Sequence, residues 1–233
     1  MLAGVNLSTM KNARKTWLWW SSGKDSTWAL HRLLADADYQ VDALVTTFNV
    51  SFDRVAMHAV RAQLVRAQAE ALGLDLKIVE IPHPCPNGAY EAEAGKLIRL
   101  AEAEGVTHMA FGDLFLGDVR AYREKLLAAS SIEPVFPLWG LDTSELAATM
   151  IDSGVCAYLT CIDPRVLDPS FAGRAYSHDL LADLPHSVDP CGENGEFHTF
   201  VHDAPDFSAA IPIQVGEVVT REGFVFADVL PAQ

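Results

Sequence analysis

Positive charge is scarce in this 233-residue chain: 17 lysines and arginines face 31 aspartates and glutamates, a formal net charge of −14. A surface of that sign repels phosphodiester backbones, and no cluster of Lys and Arg is long enough to make a local basic stripe, which counts against RNA as the substrate. Cysteine is sparse as well. Cys85, Cys156, Cys161 and Cys191 form no Cys-x-x-Cys pair and no zinc-ligand spacing, so they read as reduced thiols of a cytoplasmic protein. Cys156 and Cys161 bracket an apolar run and are both expected in the core. The histidines include no His-x-x-x-His pair with a nearby acid, which leaves a zinc hydrolase little support. No apolar run near the start is long enough for a secretory leader or a membrane span, and residues 1–15, with Lys11, Arg14 and Lys15, read as a loose tail. Internal repeats and low-complexity segments are also missing.

What is present is a chain that is 50% hydrophobic along its whole length, enough to bury a sizeable core. β-branched runs alternate with helical periodicity. Strands are expected at Trp17–Trp20, Val41–Phe48, Leu76–Ile81 and Thr107–Phe111. Helices are expected after the first strand, at Met57–Leu72 with Gly73 as a stop, and at Ala89–Glu104 ended by Gly105. That order predicts an α/β fold with a parallel twisted sheet and helices on both faces, its ligand at the carboxyl ends of the strands. Beyond about residue 132 prolines such as Pro134 and Pro137 interrupt the pattern. A helix at Thr143–Ile151 and a strand at Val155–Cys161 are placed on the same sheet or its edge. A hairpin is expected around Arg221-Glu222-Gly223. The division is therefore a parallel-sheet domain at 16–132 and a smaller C-terminal α+β region at 133–233.

The first strand runs into Ser21-Ser22-Gly23-Lys24-Asp25-Ser26 and then a helix. A strand, a loop of small hydroxyl and glycine residues, and a helix start form an anion site, because free backbone N–H groups and the helix dipole converge there. Lys24 adds a mobile positive charge, the serines offer hydroxyls, and Gly23 allows close approach. The loop is no Walker A motif: Leu18 and Asp25 stand where that motif needs a glycine and a Ser or Thr. A plain helix-capping turn, with Ser22 or Asp25 as N-cap, is the alternative.

A second polar segment, Gly192-Glu193-Asn194-Gly195-Glu196-Phe197-His198-Thr199, puts two carboxylates on a tight loop. Such carboxylates can hold Mg²⁺, bind an ammonium group or orient a substrate; a polar hairpin turning at Asn194-Gly195 reads equally well. Between the two lie Gly112-Asp113 at a strand end, then Arg120, Arg123 and Glu124. These either face a phosphate or carboxylate or merely cap and pair along a helix. His58, Arg61 and Arg66 on the second helix, and Tyr90-Glu91 at the start of the next, are weaker candidates.

SSGKDS resembles the loop of the PP-loop ATP pyrophosphatases, with Ser22 in place of a usual glycine. Together with the Gly192–Thr199 segment it resembles the diphthine–ammonia ligase family, in order over about residues 17–205. The resemblance implies an ATP-dependent, AMP-forming ligase that activates a carboxylate as an acyl-adenylate for attack by ammonia or an amine. It places ATP on Ser21, Ser22, Gly23, Lys24, Asp25, Ser26, Thr47, Gly112 and Asp113, with Mg²⁺ on Asp25. Lys24, Asp25, Glu193 and Glu196 are the expected catalytic groups. Glu193, Asn194, Glu196, His198, Thr199, Arg123 and Glu124 are expected to face the substrate, a small-molecule or protein carboxylate. Asn194, Phe197 and His198 depart from the family's motif, so the acceptor carries over less well than the use of ATP. Two other classes remain: a sensor that holds ATP or AMP without turnover, and a PP-loop enzyme acting on RNA. No membrane partner is expected, and a homodimer is the default assembly.

Overall fold

The computed structural model describes residues 13–49, 54–55, 60–82 and 85–232. β1 (Arg14–Trp19) begins inside the stretch read as a tail and leads through the loop into α1 (Lys24–Ala35) and β2 (Tyr39–Asn49). A two-residue strand β3 (Arg54–Val55), α2 (Ala62–Leu72), β4 (Asp75–Ile81), α3 (Asn87–Ala103), β5 (His108–Ala110), α4 (Gly117–Leu127) and β6 (Glu133–Val135) follow. The chain continues with α5 (Thr143–Asp152), β7 (Cys156–Ile162), α6 (His178–Asp183), β8 (Phe197–Asp203), β9 (Ile213–Arg221) and β10 (Phe224–Pro231). The start expected for α2, at Met57, lies outside the described residues. Its end is the expected one: Gly73 adopts φ 65°, and Leu74 N–H reaches back to Ala69 O at 3.0 Å to close the last turn. No helix among the described residues is long and apolar enough to cross a membrane.

Five strands form a parallel sheet in the order β4-β2-β1-β5-β6, and β3 pairs antiparallel with the end of β2. Side chains on its strands alternate between two buried clusters. Trp17, Ala43, Val45 and Met109 pack under α3 and α4 on one face, while Leu18, Leu44 and Ala110 pack under α1, α2 and α5 on the other. Helices therefore cover both faces, as the alternating pattern required. β1 lies where the strand order reverses, so the loop after it opens into the crevice that such sheets use for ligands.

Two expectations are corrected beyond residue 132. Pro134 does not end the sheet: β6 pairs in parallel with β5, Pro134 opposite Met109, and as an edge strand it tolerates the missing N–H. The strand read at Val155–Cys161 does not join this sheet. As β7 it sits in a separate antiparallel sheet, order β8-β7-β10-β9, where β9 and β10 form the expected hairpin through Glu222 (φ 51°) and Gly223 (φ 83°). Both central residues at positive φ make the tight turn that suits right-twisted strands. Cys161 is buried but Cys156 is exposed, because it opens the strand at the sheet's rim. Phe200, Val201, Val225 and Val229 of the second sheet share the cluster beneath α1 and α2, so the two sheets rest on one core.

Candidate active site

The Ser21–Ser26 loop is built by a contact across the fold. β8 runs against it: Val201 N–H donates to Ser22 O at 3.0 Å, and Thr199 Oγ1 accepts from Lys24 N–H at 3.1 Å. Thr199 thus supplies the first turn of α1 with a cap that Gly23, its N-cap residue, cannot provide. A Cβ on Gly23 would lie 3.0 Å from Thr199 O, and one on Gly112 would lie 3.0 Å from the Asp25 carbonyl carbon and the Ser26 nitrogen. Both glycines are there so that three segments can touch. Gln68 on α2 pins them from behind. Fully buried, it accepts from Trp20 Nε1 at 2.8 Å and donates to Ser22 O at 3.0 Å and Val201 O at 2.6 Å.

These contacts bring the distant motifs together. A cavity of about 200 Å³ is lined by Ser21, Gly23, Lys24, Asp25 and Ser26 from the loop, by Gly112 and Asp113 just after β5, and by Arg123 from α4. Gly192, Glu193, Phe197, His198 and Thr199 close it from the C-terminal side, and the rings of Trp19 and Phe111 form a wall. A larger open groove of about 880 Å³ lies along α1, β6 and α5, and none of the Ser21–Ser26 loop residues lines it.

Lys24 is the sharpest departure from expectation. It is no mobile cation: the side chain is 2% exposed, its ammonium bonds both Asp25 oxygens at 2.9 and 3.0 Å and the Cys191 carbonyl, and the rings of Tyr176 and Phe197 lie 5.6 and 5.5 Å away. Burial works against the charge, but Asp25 and Glu193 among the facing groups outweigh it and hold the ammonium above its ordinary pKa. The Cys191 thiol, pushed to about 12 chiefly by burial, is inert as a nucleophile.

The two glutamates divide. Glu193 faces the cavity and accepts from Leu114 N–H at 2.7 Å. Burial raises its pKa to about 7, with Asp25 and Asp113 adding to the rise and the Leu114 N–H opposing it. Glu196 turns away from the cavity. It is 5% exposed, and its Oε1 accepts from Asp189 N–H and Asn194 Nδ2, each at 3.0 Å, while its Oε2 has no hydrogen-bond partner among the described residues. Glu196 therefore staples the loop whose Glu193 reaches the cavity.

Other expected residues separate in the same way. Asp113 meets Arg123 at 3.4 Å, its carboxyl raised by burial against the pull of that guanidinium. Asn194 is exposed, and Glu124 points outward to pair with Arg120 at 2.8 Å. Ser22 is buried, its hydroxyl has no hydrogen-bond partner among the described residues, and its carbonyl is what serves the site. Thr47 is buried in β2 beside Tyr90, off the cavity wall. Arg61 pairs with Asp228 at 2.5 Å, Arg66 lies over the Phe48 ring, and His58 lies outside the described residues. Gln68, Trp19, Phe111, Tyr176 and the Cys191 carbonyl belong to the site without any motif to announce them.

The cavity does not make an all-protein metal site. Among the described residues no three His, Cys, Asp or Glu side chains are grouped to hold a metal ion, and both oxygens of Asp25 are already taken by Lys24.

Two family profiles match the chain: the diphthamide synthase N-terminal domain over residues 14–133 and the diphthamide synthase C-terminal domain over 142–228. Among curated proteins the chain is similar to a diphthine–ammonia ligase of Bos taurus, 26% identical over 231 residues that span 90% of this chain and 86% of the relative. A diphthine–ammonia ligase of Danio rerio is 27% identical over 232 residues, 90% of each protein. One of Homo sapiens is 25% identical over 231 residues, 90% of this chain and 86% of its own length. Matched in both halves, the chain belongs to the diphthamide synthase family.

Proposed function

We propose that this protein is an ATP-dependent amide-forming ligase that passes through an acyl-adenylate. The carrying observation is that the Ser21–Ser26 loop and Glu193 line one cavity although they come from opposite ends of the chain. A carboxylate cannot expel oxide when an amine attacks. One of its oxygens therefore attacks the α-phosphorus of ATP, and the α–β bridging P–O bond breaks with its electron pair leaving on pyrophosphate. Ammonia or an amine then attacks the acyl carbon, AMP departs, and the proton released from nitrogen needs an acceptor. Glu193, with a pKa of about 7 inside the cavity, is suited to take it. Backbone N–H groups at the start of α1, with Ser21 and Ser26, meet the phosphate oxygens. Mg²⁺ would arrive on the triphosphate, needing one or two carboxylates at most. The names of the relatives support this reading, while Asn194, Phe197 and His198, where the motif departs, leave the acceptor a carboxylate of unspecified bearer.

The test is incubation with ATP, ammonium and candidate carboxylic acids, followed by nucleotide analysis. AMP and pyrophosphate are expected in equal amounts; ADP and phosphate would overturn the reading.

A further inference from the structure

Resting on that reading, we infer that the two cations of the cavity have exchanged the roles their sequence positions suggest: Arg123 of α4 binds the β- and γ-phosphates, and Lys24 of the loop is a positioning residue. Four observations carry this. First, Lys24 is spent internally. Its ammonium is bonded by both Asp25 oxygens and the Cys191 carbonyl and caged by two rings, so turning it toward a phosphate would strand a buried Asp25 carboxylate and a buried carbonyl.

Second, among the described residues Arg123 is the cavity wall's other lysine or arginine. Its side chain is 21% exposed, open enough to meet an ATP oxygen and sheltered enough for the contact to count. Third, the guanidinium lies 5.0 Å from the Phe111 ring centre and 5.9 Å from that of Trp19. Stacking on rings fixes its plane without spending its N–H donors, which suits bidentate recognition of phosphate. Fourth, its carboxylate partner among the described residues, Asp113, holds it by a single long 3.4 Å contact, and its other side-chain partner, Tyr90, is a neutral hydroxyl, so the positive charge is oriented rather than neutralised.

The role left to Lys24 follows from where its bonds go. It ties the first turn of α1 to the Cys191 carbonyl, one residue before the Gly192-Glu193 corner, and its charge bears on the Glu193 carboxyl. Lys24 thus sets the place and the protonation of the group at the acceptor end.

The experiment is isothermal titration of the full chain with magnesium-ATP and with adenosine, using wild type, Arg123→Gln, Arg123→Lys and Lys24→Met. Loss of charge-assisted hydrogen bonds predicts that Arg123→Gln weakens ATP about ten- to a hundredfold and adenosine less than about threefold, with Arg123→Lys between. Lys24→Met leaves the Asp25 carboxylate unpaired in the loop and should weaken ATP less than about tenfold, short of the Arg123→Gln loss, and it should move the pH midpoint of AMP formation upward, since a cation beside Glu193 has been removed. If wild type itself prefers ATP but Arg123→Gln keeps that preference, the exchange of roles is wrong and the ligase reading survives. If folded Lys24→Met loses ATP as steeply as Arg123→Gln, the inference also fails. Should Lys24→Met not fold, the two Arg123 variants decide. A wild type that binds adenosine as well as ATP would sink the function and this inference together.

Discussion

Ser22 sits at φ 72°, in the left-handed region that disfavours a Cβ, and its buried hydroxyl has no partner among the described residues. Both features cost free energy, the backbone about 1–2 kcal/mol. Ser22→Gly should therefore raise thermal stability even after the larger chain entropy of glycine in the unfolded state is counted. About 1 kcal/mol net, or roughly 2–4 °C in the melting temperature, is the expected gain. An unchanged or lower melting temperature would contradict the strain. The resemblance had already marked position 22 as one where glycine is usual, and the backbone angle supplies the reason. Glu193 gives the pH dependence. With a folded pKa near 7 against an ordinary 4.5, it loses its proton within the working range. AMP formation should climb as pH passes about 7 and level above it, and Glu193→Gln should flatten that limb and slow amide formation about a hundredfold or more. Stability runs the other way. A carboxyl whose folded pKa is raised contributes fully below its unfolded pKa and loses that contribution as pH rises through the folded one, so wild type should melt lower at pH 8 than at pH 5 relative to Glu193→Gln.

At the scale of elements, Gln68 shows why a motif search finds half a site. It stands in the middle of α2 as one of many polar helix residues, yet three partners, Trp20 just after β1, Ser22 of the loop and Val201 of β8, converge on it. Gln68→Leu would leave the Trp20 indole N–H and the Val201 carbonyl unmet in the core, costing roughly 2–5 kcal/mol; chemical denaturation should show the midpoint fall without a change of slope. A loss under about 1 kcal/mol would mean that water or a shifted side chain replaces it. The loop–helix junction was legible from SSGKDS alone because its small residues have few other uses at a strand end. The division between Glu193 and Glu196 was not. Their spacing looks like a pair, and only the turn between them, closed by Gly195 N–H to Gly192 O at 3.0 Å with Gly195 at φ 85°, sends one into the cavity and the other under the loop.

For the whole molecule, the parallel sheet could be read from alternating strand and helix periods, which are local. The assignment of β7 to another sheet could not, since a buried strand has the same apolar run whichever neighbours it finds. Pro134 misled for a related reason: its cost depends on whether the strand is an edge, which is a property of the assembled sheet. Because both sheets share one cluster beneath α1 and α2, unfolding should be a single transition, with circular dichroism and tryptophan fluorescence coinciding. Two separated transitions would show instead that residues 16–132 and 133–233 are independent domains. The bond from Lys24 N–H to Thr199 spans 175 positions of the chain. A nascent polypeptide paused on the ribosome before Thr199 has emerged possesses every residue of the phosphate loop but not the cap that completes it. Competence for nucleotide is thereby tied to translation past Thr199, and products interrupted before that residue are left without a working loop.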